Sequence, residues 1–213
     1  MTHVYEPLAE GGPAADTRNL PQRPMIVRLY PETVEQRPAC AADGIVTRSI
    51  VDAGEQLAAF GSIDYYAVYR YRVERDVLTA PADHLEWADL SWEFEEFLRR
   101  NSGVDLDLYA FRGVHQLIHG RTTGCRETAE GYAPQGAGGE YSDLTAFGTG
   151  VVTWSPVCAD PGLTKNAAIQ ETVHSFLHPD VYDESLTGEG HDEHTLGRVD
   201  EAGRTPPLLT YHW

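Results

Sequence analysis

Hydrophobic positions repeat with two different periods along the first two thirds of the chain. Residues 44–60 and 84–100 carry them every three or four positions, which predicts two amphipathic helices. Strands are predicted where apolar and polar residues alternate, or where a short apolar run is rich in Tyr, Val and Ile. These strands are residues 24–30, 63–73, 104–113 and 147–155. Strands that alternate with helices predict a mixed sheet with helices packed against it.

A third helix is predicted after the last of these strands. A turn at Pro161 precedes it, Thr164 is its expected N-cap, and Pro179 ends it. Residues 120–146, between the last two strands, are rich in glycine and predict either a long loop or a ragged edge strand. The residues after the third helix show no regular period, so we expect an irregular tail.

Length and composition suggest one domain of the α+β class, with an α/β-like N-terminal part. The 213 residues suffice for one good hydrophobic core. Residues 1–23 are rich in glycine, proline and polar side chains, which predicts a flexible N-terminal arm. We therefore expect residues 24–213 to form a single domain.

The charge of the chain limits its partners. It has 33 acidic and 16 basic residues, a net charge of −17, and Lys165 is its only lysine. An acidic surface repels nucleic acid and anionic lipid, so we expect neither as a partner. Arginine in place of lysine and surplus carboxylates, which are screened at high salt, suggest a halophilic or high-GC source; an ordinary soluble acidic protein explains the composition equally well.

Neither a signal peptide nor a membrane-spanning run is predicted in these residues. No apolar stretch approaches the roughly 18–20 residues that cross a bilayer, and residues 1–19 lack a basic region followed by an apolar one. The three cysteines, Cys40, Cys125 and Cys158, do not have zinc-ribbon spacing. A disulfide between Cys125 and Cys158 would favour an extracellular location, whereas three buried thiols would leave the compartment open.

Candidate chemistry is concentrated in the third predicted helix, in the sequence QETVH at residues 170–174. Positions four apart share one face of a helix, so Gln170 and His174 could bind one metal ion. Glu171 then occupies the position of the general base in the metallopeptidase motif H-E-x-x-H. The amide oxygen of Gln170 is a weaker zinc ligand than imidazole, so the site needs further ligands.

Several histidines are available as those further ligands. His178 lies one turn beyond His174, and residues 188–197, GEGHDEHTLG, add His191 and His194. The alternative is that HDEH is only a polar loop. HQLIH at residues 115–119 is a second pair with the same spacing, but it follows a predicted strand, so a role as metal ligands has less support.

These motifs resemble those of zincin-type metallopeptidases, in particular the metzincin clan and its snapalysin-like members. The text QETVHSFLHPDVY is similar to the snapalysin pattern at Glu171, Thr172, His174, Pro179, Asp180 and Tyr182. The resemblance implies a twisted mixed sheet with backing helices and an active-site helix in an upper subdomain, residues 24–178. It also implies a small irregular lower subdomain, residues 179–213.

The resemblance also suggests roles for residues near the C-terminus. It would make Asp180 the third ligand, and it places Tyr211 in the turn beneath the metal. Either Tyr211 or a histidine of the HDEH segment could then stabilise the oxyanion. The chain also resembles a group of uncharacterised haloarchaeal proteins with a Q-E-x-x-H helix and a later E-H-x-L-G, which makes His194 the preferred distal ligand. Gln170 departs from the zincin pattern, which has histidine there.

Two functions follow from this reading. The first is a zinc-dependent, monomeric peptidase that hydrolyses peptide or protein substrates through metal-activated water, with Glu171 as general base and Gln170, His174, His178 and His194 as ligands (His191 and Asp180 are alternates). The second is a catalytically inactive zincin-fold protein with a binding or structural role, with or without a structural metal.

Overall fold

A five-stranded mixed sheet organises the molecule. The structure, a computed structural model, describes residues 5–16, 23–33, 44–59, 61, 63–72, 75–102, 113–120, 150–157 and 161–174. The strands are β1 (Tyr5–Gly11), β2 (Pro24–Pro31), β3 (Tyr65–Tyr71), β4 (Gly113–His119) and β5 (Gly150–Pro156). Their order in the sheet is β1-β3-β2-β4-β5, and only β1 is antiparallel to its neighbour.

Among the described residues, three α-helices cover the two faces of this sheet. They are α1 (Ile45–Ala59), α2 (Trp87–Ser102) and α3 (Pro161–His174), and a short 3-10 helix (Ala82–His84) precedes α2. The crossover from β2 to β3 runs across the sheet in one direction and the crossover from β3 to β4 in the other. Right-handed crossovers of opposite direction place their helices on opposite faces, and the two hydrophobic cores agree with this.

The first core lies between the sheet and the pair α1 and α3. It includes Val27, Ile50, Val68, Ile118 and Ile169, all at most 2% exposed. Every residue of α1 that follows the predicted helical stripe is buried here, which explains why this helix forms where the sequence predicts it.

The second core lies between the opposite face of the sheet and α2. Phe94 on α2 packs edge-on against Tyr30 of β2, with 5.3 Å between the ring centroids. Trp154 of β5 is buried in the same cluster and donates an indole N–H bond of 3.0 Å to Ser91 Oγ on α2. The sheet is therefore buried on both faces, as parallel sheets require.

The N-terminal segment, expected to be a flexible arm, contains β1. Tyr5 lies opposite Tyr71 and Gly11 opposite Tyr66, with a register shift between Pro7 and Ala9. Proline cannot donate a ladder hydrogen bond and is tolerated at an edge or a bulge, and both conditions hold here. The polar composition of residues 1–23 concealed this strand because an edge strand needs little apolar surface.

The other predicted elements compare with the structure as follows. The helices at 44–60 and 84–100 and the strands at 24–30, 63–73 and 147–155 are confirmed within a few residues. The strand predicted at 104–113 lies outside the described residues except for Gly113, where β4 begins. The third helix is confirmed, but it begins at Pro161, so Thr164 is inside α3 rather than at its N-cap. Proline is favoured in the first turn because its missing N–H needs no partner there.

A buried carboxylate ties together the edge of the sheet where the parallel strands end. Glu32 follows β2 and is 4% exposed. Its Oε1 accepts a 2.8 Å bond from the Ala82 N–H, and its Oε2 accepts a 2.7 Å bond from the Gly120 N–H. The end of β2 is thus joined to the 3-10 helix and to the end of β4.

In the described part of the chain, no helix has the length and apolar character needed to cross a membrane.

Candidate functional site

The QETVH segment forms the last turns of α3, which packs against α1 and β5. Ala168 and Ile169 are 0% and 1% exposed, so the face around them is directed into the first core. Positions 170 and 174 are four residues apart in a continuous helix and therefore share another face. The helical spacing that the metal hypothesis requires is present in the backbone.

Glu171 lies at the margin of this buried face and is itself 6% exposed. Burial raises the pKa of the Glu171 carboxyl from its ordinary value of 4.5 to about 8, because removing the charged form from water is unfavourable. A carboxyl with a pKa near neutrality suits proton transfer, since both of its protonation states are accessible at physiological pH.

A buried polar layer lies beneath the same turns of α3. Gln116 of β4 is fully buried, and its Nε2 donates a 3.1 Å bond to Ser155 Oγ of β5. The single hydroxyl hydrogen of Thr172 is shared between two acceptors, Gln116 Oε1 at 3.1 Å and the Ala168 carbonyl oxygen at 2.7 Å. The helix therefore meets the sheet through hydrogen bonds as well as apolar contacts. Our sequence analysis missed Gln116 and Ser155; a glutamine among the apolar residues of a short run was the available signal.

The second histidine pair, His115 and His119, is not part of this arrangement. HQLIH is strand β4, so positions four apart are separated by roughly 13 Å along it and cannot bind one ion together. Alternation places both on the α2 side of the sheet, opposite α3. His115 Nδ1 lies 2.7 Å from the Tyr30 hydroxyl, and the His119 ring is 5.6 Å from the Trp154 ring. Both histidines belong to the second core.

The metal ligands expected from the sequence are only in part within the described chain. The described residues contain no group of three His, Cys, Asp or Glu side chains able to hold a metal ion. Gln170 and His174 lie in α3, and His178, His191, His194, Asp180 and Tyr211 lie outside the described residues. Gln170 and His174 are an amide and an imidazole residue at helical spacing on the α3 backbone, two donor types that could bind zinc only together with further ligands. All three cysteines also lie outside the described residues.

A groove of about 270 Å³ runs between α1 and α3, and Glu171 is not among its lining residues. It is lined by Asp52, Glu55, Gln56, Ala59, Lys165 and Ile169. It is open, and its charges have both signs, so it lacks the convergent polar groups in an apolar cleft that are typical of a ligand site. We do not assign it to the chemistry of the QETVH segment.

Comparisons with known proteins give no relative. No family model matches the chain, and neither the curated proteins nor the solved structures contain a match. The functional argument therefore depends on the residues of α3 and what surrounds them.

Proposed function

We propose that the protein is a zinc-dependent peptidase of the zincin type, with Glu171 as its general base. The observation that carries this proposal is the position of Glu171, a buried carboxyl with a pKa of about 8 that lies three residues before His174 on one helix. Further support comes from the order of elements, since a mixed sheet with backing helices precedes the helix that carries the motif.

The proposed ligands are Gln170 and His174 from α3, completed by His178 and His194, with His191 and Asp180 as alternates. Zinc bound there would act as a Lewis acid that polarises a peptide carbonyl and lowers the pKa of bound water. Glu171 would accept a proton from the attacking water on a carboxylate oxygen and pass it to the leaving amine. Tyr211 would donate a hydrogen bond to the developing oxyanion.

The raised pKa of Glu171 is compatible with this role. At pH 7, roughly a tenth of molecules with a carboxyl pKa of about 8 are ionised. A neighbouring divalent cation favours the charged form and increases this fraction. The proposal therefore expects hydrolysis to accelerate as the pH rises through the pKa of the carboxyl.

Glu171→Ala tests the proposal most directly. We expect the variant to keep the zinc stoichiometry of the wild type and to lose hydrolysis of a fluorogenic peptide library by at least about a hundredfold, the usual contribution of a general base. Glu95→Ala, which removes a partly exposed glutamate from α2, is the matched control and should retain both properties. Retained hydrolysis in Glu171→Ala would refute the assignment of the base.

His174→Ala tests the metal, and His84→Ala, at an exposed histidine of the 3-10 helix, is its control. We expect zinc content after dialysis to fall in the first variant only. Wild-type protein that retains no zinc and whose melting temperature is unchanged by chelator would reject the metal-dependent peptidase.

The burial of Glu171 also favours one alternative, a zincin-shaped protein in which the metal is structural or absent. A carboxyl that is 6% exposed can contribute to packing without meeting a substrate. In that case chelator would lower the melting temperature or leave it unchanged, and Glu171→Ala would have no effect on any hydrolysis.

A further inference from the structure

Two alanines lie on the buried face of α3. Ala167 and Ala168 are at most 1% exposed, and both have only a methyl side chain. Small side chains interdigitate little, so apolar packing at this contact resists rotation or sliding of the helix weakly. Ile169 packs in the first core, and a more precise definition of the position of the QETVH turns comes from other contacts.

Hydrogen bonds supply that definition. Thr172 lies between Glu171 and His174 in the sequence, and its hydroxyl oxygen is 3.1 Å from Gln116 Oε1. The Gln116 amide is held from its other end, because Nε2 donates to Ser155 Oγ at 3.1 Å and reaches the Ala168 carbonyl oxygen at 3.5 Å. Hydrogen bonds depend steeply on distance and angle, so this layer fixes the helix in one position.

We propose that Gln116 is a positioning residue for the Gln170–His174 turn of α3 and that it acts through the hydroxyl of Thr172. The inference rests on the proposed function, because it concerns the same candidate site. Gln116 does not touch substrate or metal in this proposal. It places the backbone that carries Glu171 and the two ligand positions on α3.

A matched control lies directly opposite Gln116 on the neighbouring strand. Thr153 of β5 is paired in register with Gln116 and is fully buried, like Thr172. Its Oγ1 has no hydrogen-bond partner among the described residues. Thr172→Val and Thr153→Val therefore make the same chemical change in one layer, but only the first removes hydrogen bonds, one to Gln116 and one to the Ala168 carbonyl oxygen within α3. Gln116→Met removes the first of these two bonds and leaves the second.

The experiment compares Thr172→Val, Thr172→Ser, Thr153→Val and Gln116→Met in the full chain. The first readout is amide hydrogen exchange of residues 168–174, which needs no activity. We expect exchange there to be about fivefold faster in Thr172→Val and Gln116→Met, as for loss of one buried hydrogen bond. Thr172→Ser, which keeps the hydroxyl, and Thr153→Val should behave like the wild type.

The second readout is zinc affinity, measured by competition with a chromogenic chelator, together with the separate values of kcat and KM. We expect Thr172→Val to lose about tenfold in zinc affinity or in kcat, as when supporting partners of metal ligands are removed, with KM unchanged. Thr172→Ser should restore both quantities.

The outcomes separate this inference from the proposed function. Exchange and affinity that are the same in Thr172→Val and Thr153→Val would overturn the positioning role, even in an active peptidase. The wild type could prove neither to bind zinc nor to hydrolyse peptides while Thr172→Val still exchanges its amide hydrogens faster than the wild type. That pair of results would support the positioning role and reject the peptidase. Should Gln116→Met fail to fold, Ser155→Ala takes its place, because it removes the acceptor of the Gln116 amide and leaves the bond from Thr172 to the Ala168 carbonyl intact.

Discussion

Replacement of Glu171 by glutamine should make the stability of the protein less dependent on pH. Glutamine has nearly the shape of the neutral carboxyl and cannot ionise. The pKa of the carboxyl is about 8 in the folded chain and near 4.5 when the chain is unfolded. Between these values the folded wild type holds a proton that the unfolded chain releases, so its free energy of unfolding falls as the pH rises. Because glutamine at position 171 cannot release a proton on unfolding, the free energy of unfolding of Glu171→Gln does not fall with pH for this reason.

The size of the effect follows from the two pKa values. The stabilising contribution is complete below about pH 4.5 and is lost as the pH rises through about 8, with a slope of about 1.4 kcal/mol per pH unit in between. From about pH 5 to about pH 9, Glu171→Gln should gain roughly 4 kcal/mol of unfolding free energy relative to the wild type. Because Glu171 is 6% exposed, solvent screening reduces this value little.

Urea unfolding, followed by tryptophan fluorescence at several pH values with chelator present, measures the difference. Other titrating groups, including the histidines, are common to both proteins and cancel in the comparison. Glu95→Gln, at a partly exposed position of α2, is the control and should stay parallel to the wild type. A gap between Glu171→Gln and the wild type that stays constant with pH would show that the carboxyl is hydrated, and the argument for a tuned base would be lost.

Two further predictions concern the scaffold. Glu32→Gln should lower the free energy of unfolding by about 2–3 kcal/mol, because the new NH₂ group faces either the Ala82 or the Gly120 amide donor; denaturant unfolding that matches the wild type would contradict this role. Gly54→Ala should cost about 1–2 kcal/mol despite the better helix propensity of alanine, because the added Cβ would lie 2.7 Å from Cγ of Tyr66; a rise in melting temperature would be the opposite result.

The sequence predicted the repeating elements well because their patterns are local. The stripe of α1 lies on one face of the helix, and burial follows that face in the structure. The residue types and alternation of β3 predicted a strand, but the structure buries residues on both of its faces. Strand β4 was not predicted from the sequence, which placed a strand at residues 104–113 instead. It is buried at all seven positions, but its two histidines and one glutamine break the apolar run that a central parallel strand usually has.

The candidate site was predictable only in part, for a related reason. Helical spacing relates Gln170, Glu171 and His174 directly, and α3 confirms that spacing. The partnership of Gln116 with Thr172 joins residues 56 positions apart in the chain. Such a contact depends on how a helix docks on a sheet, and no local period encodes it. The full burial of a glutamine is therefore the information that the structure adds.

The pairing of β1 with β3 has a practical consequence for handling the protein. Residues 65–71, YYAVYRY, have high β-propensity, and β1 covers the backbone amides and carbonyls on one of their sides. Trimming the chain at residue 12 would leave that aromatic strand with a bare hydrogen-bonding edge, open to self-association with other copies. Expression designs should keep the first eleven residues and place any affinity tag ahead of them.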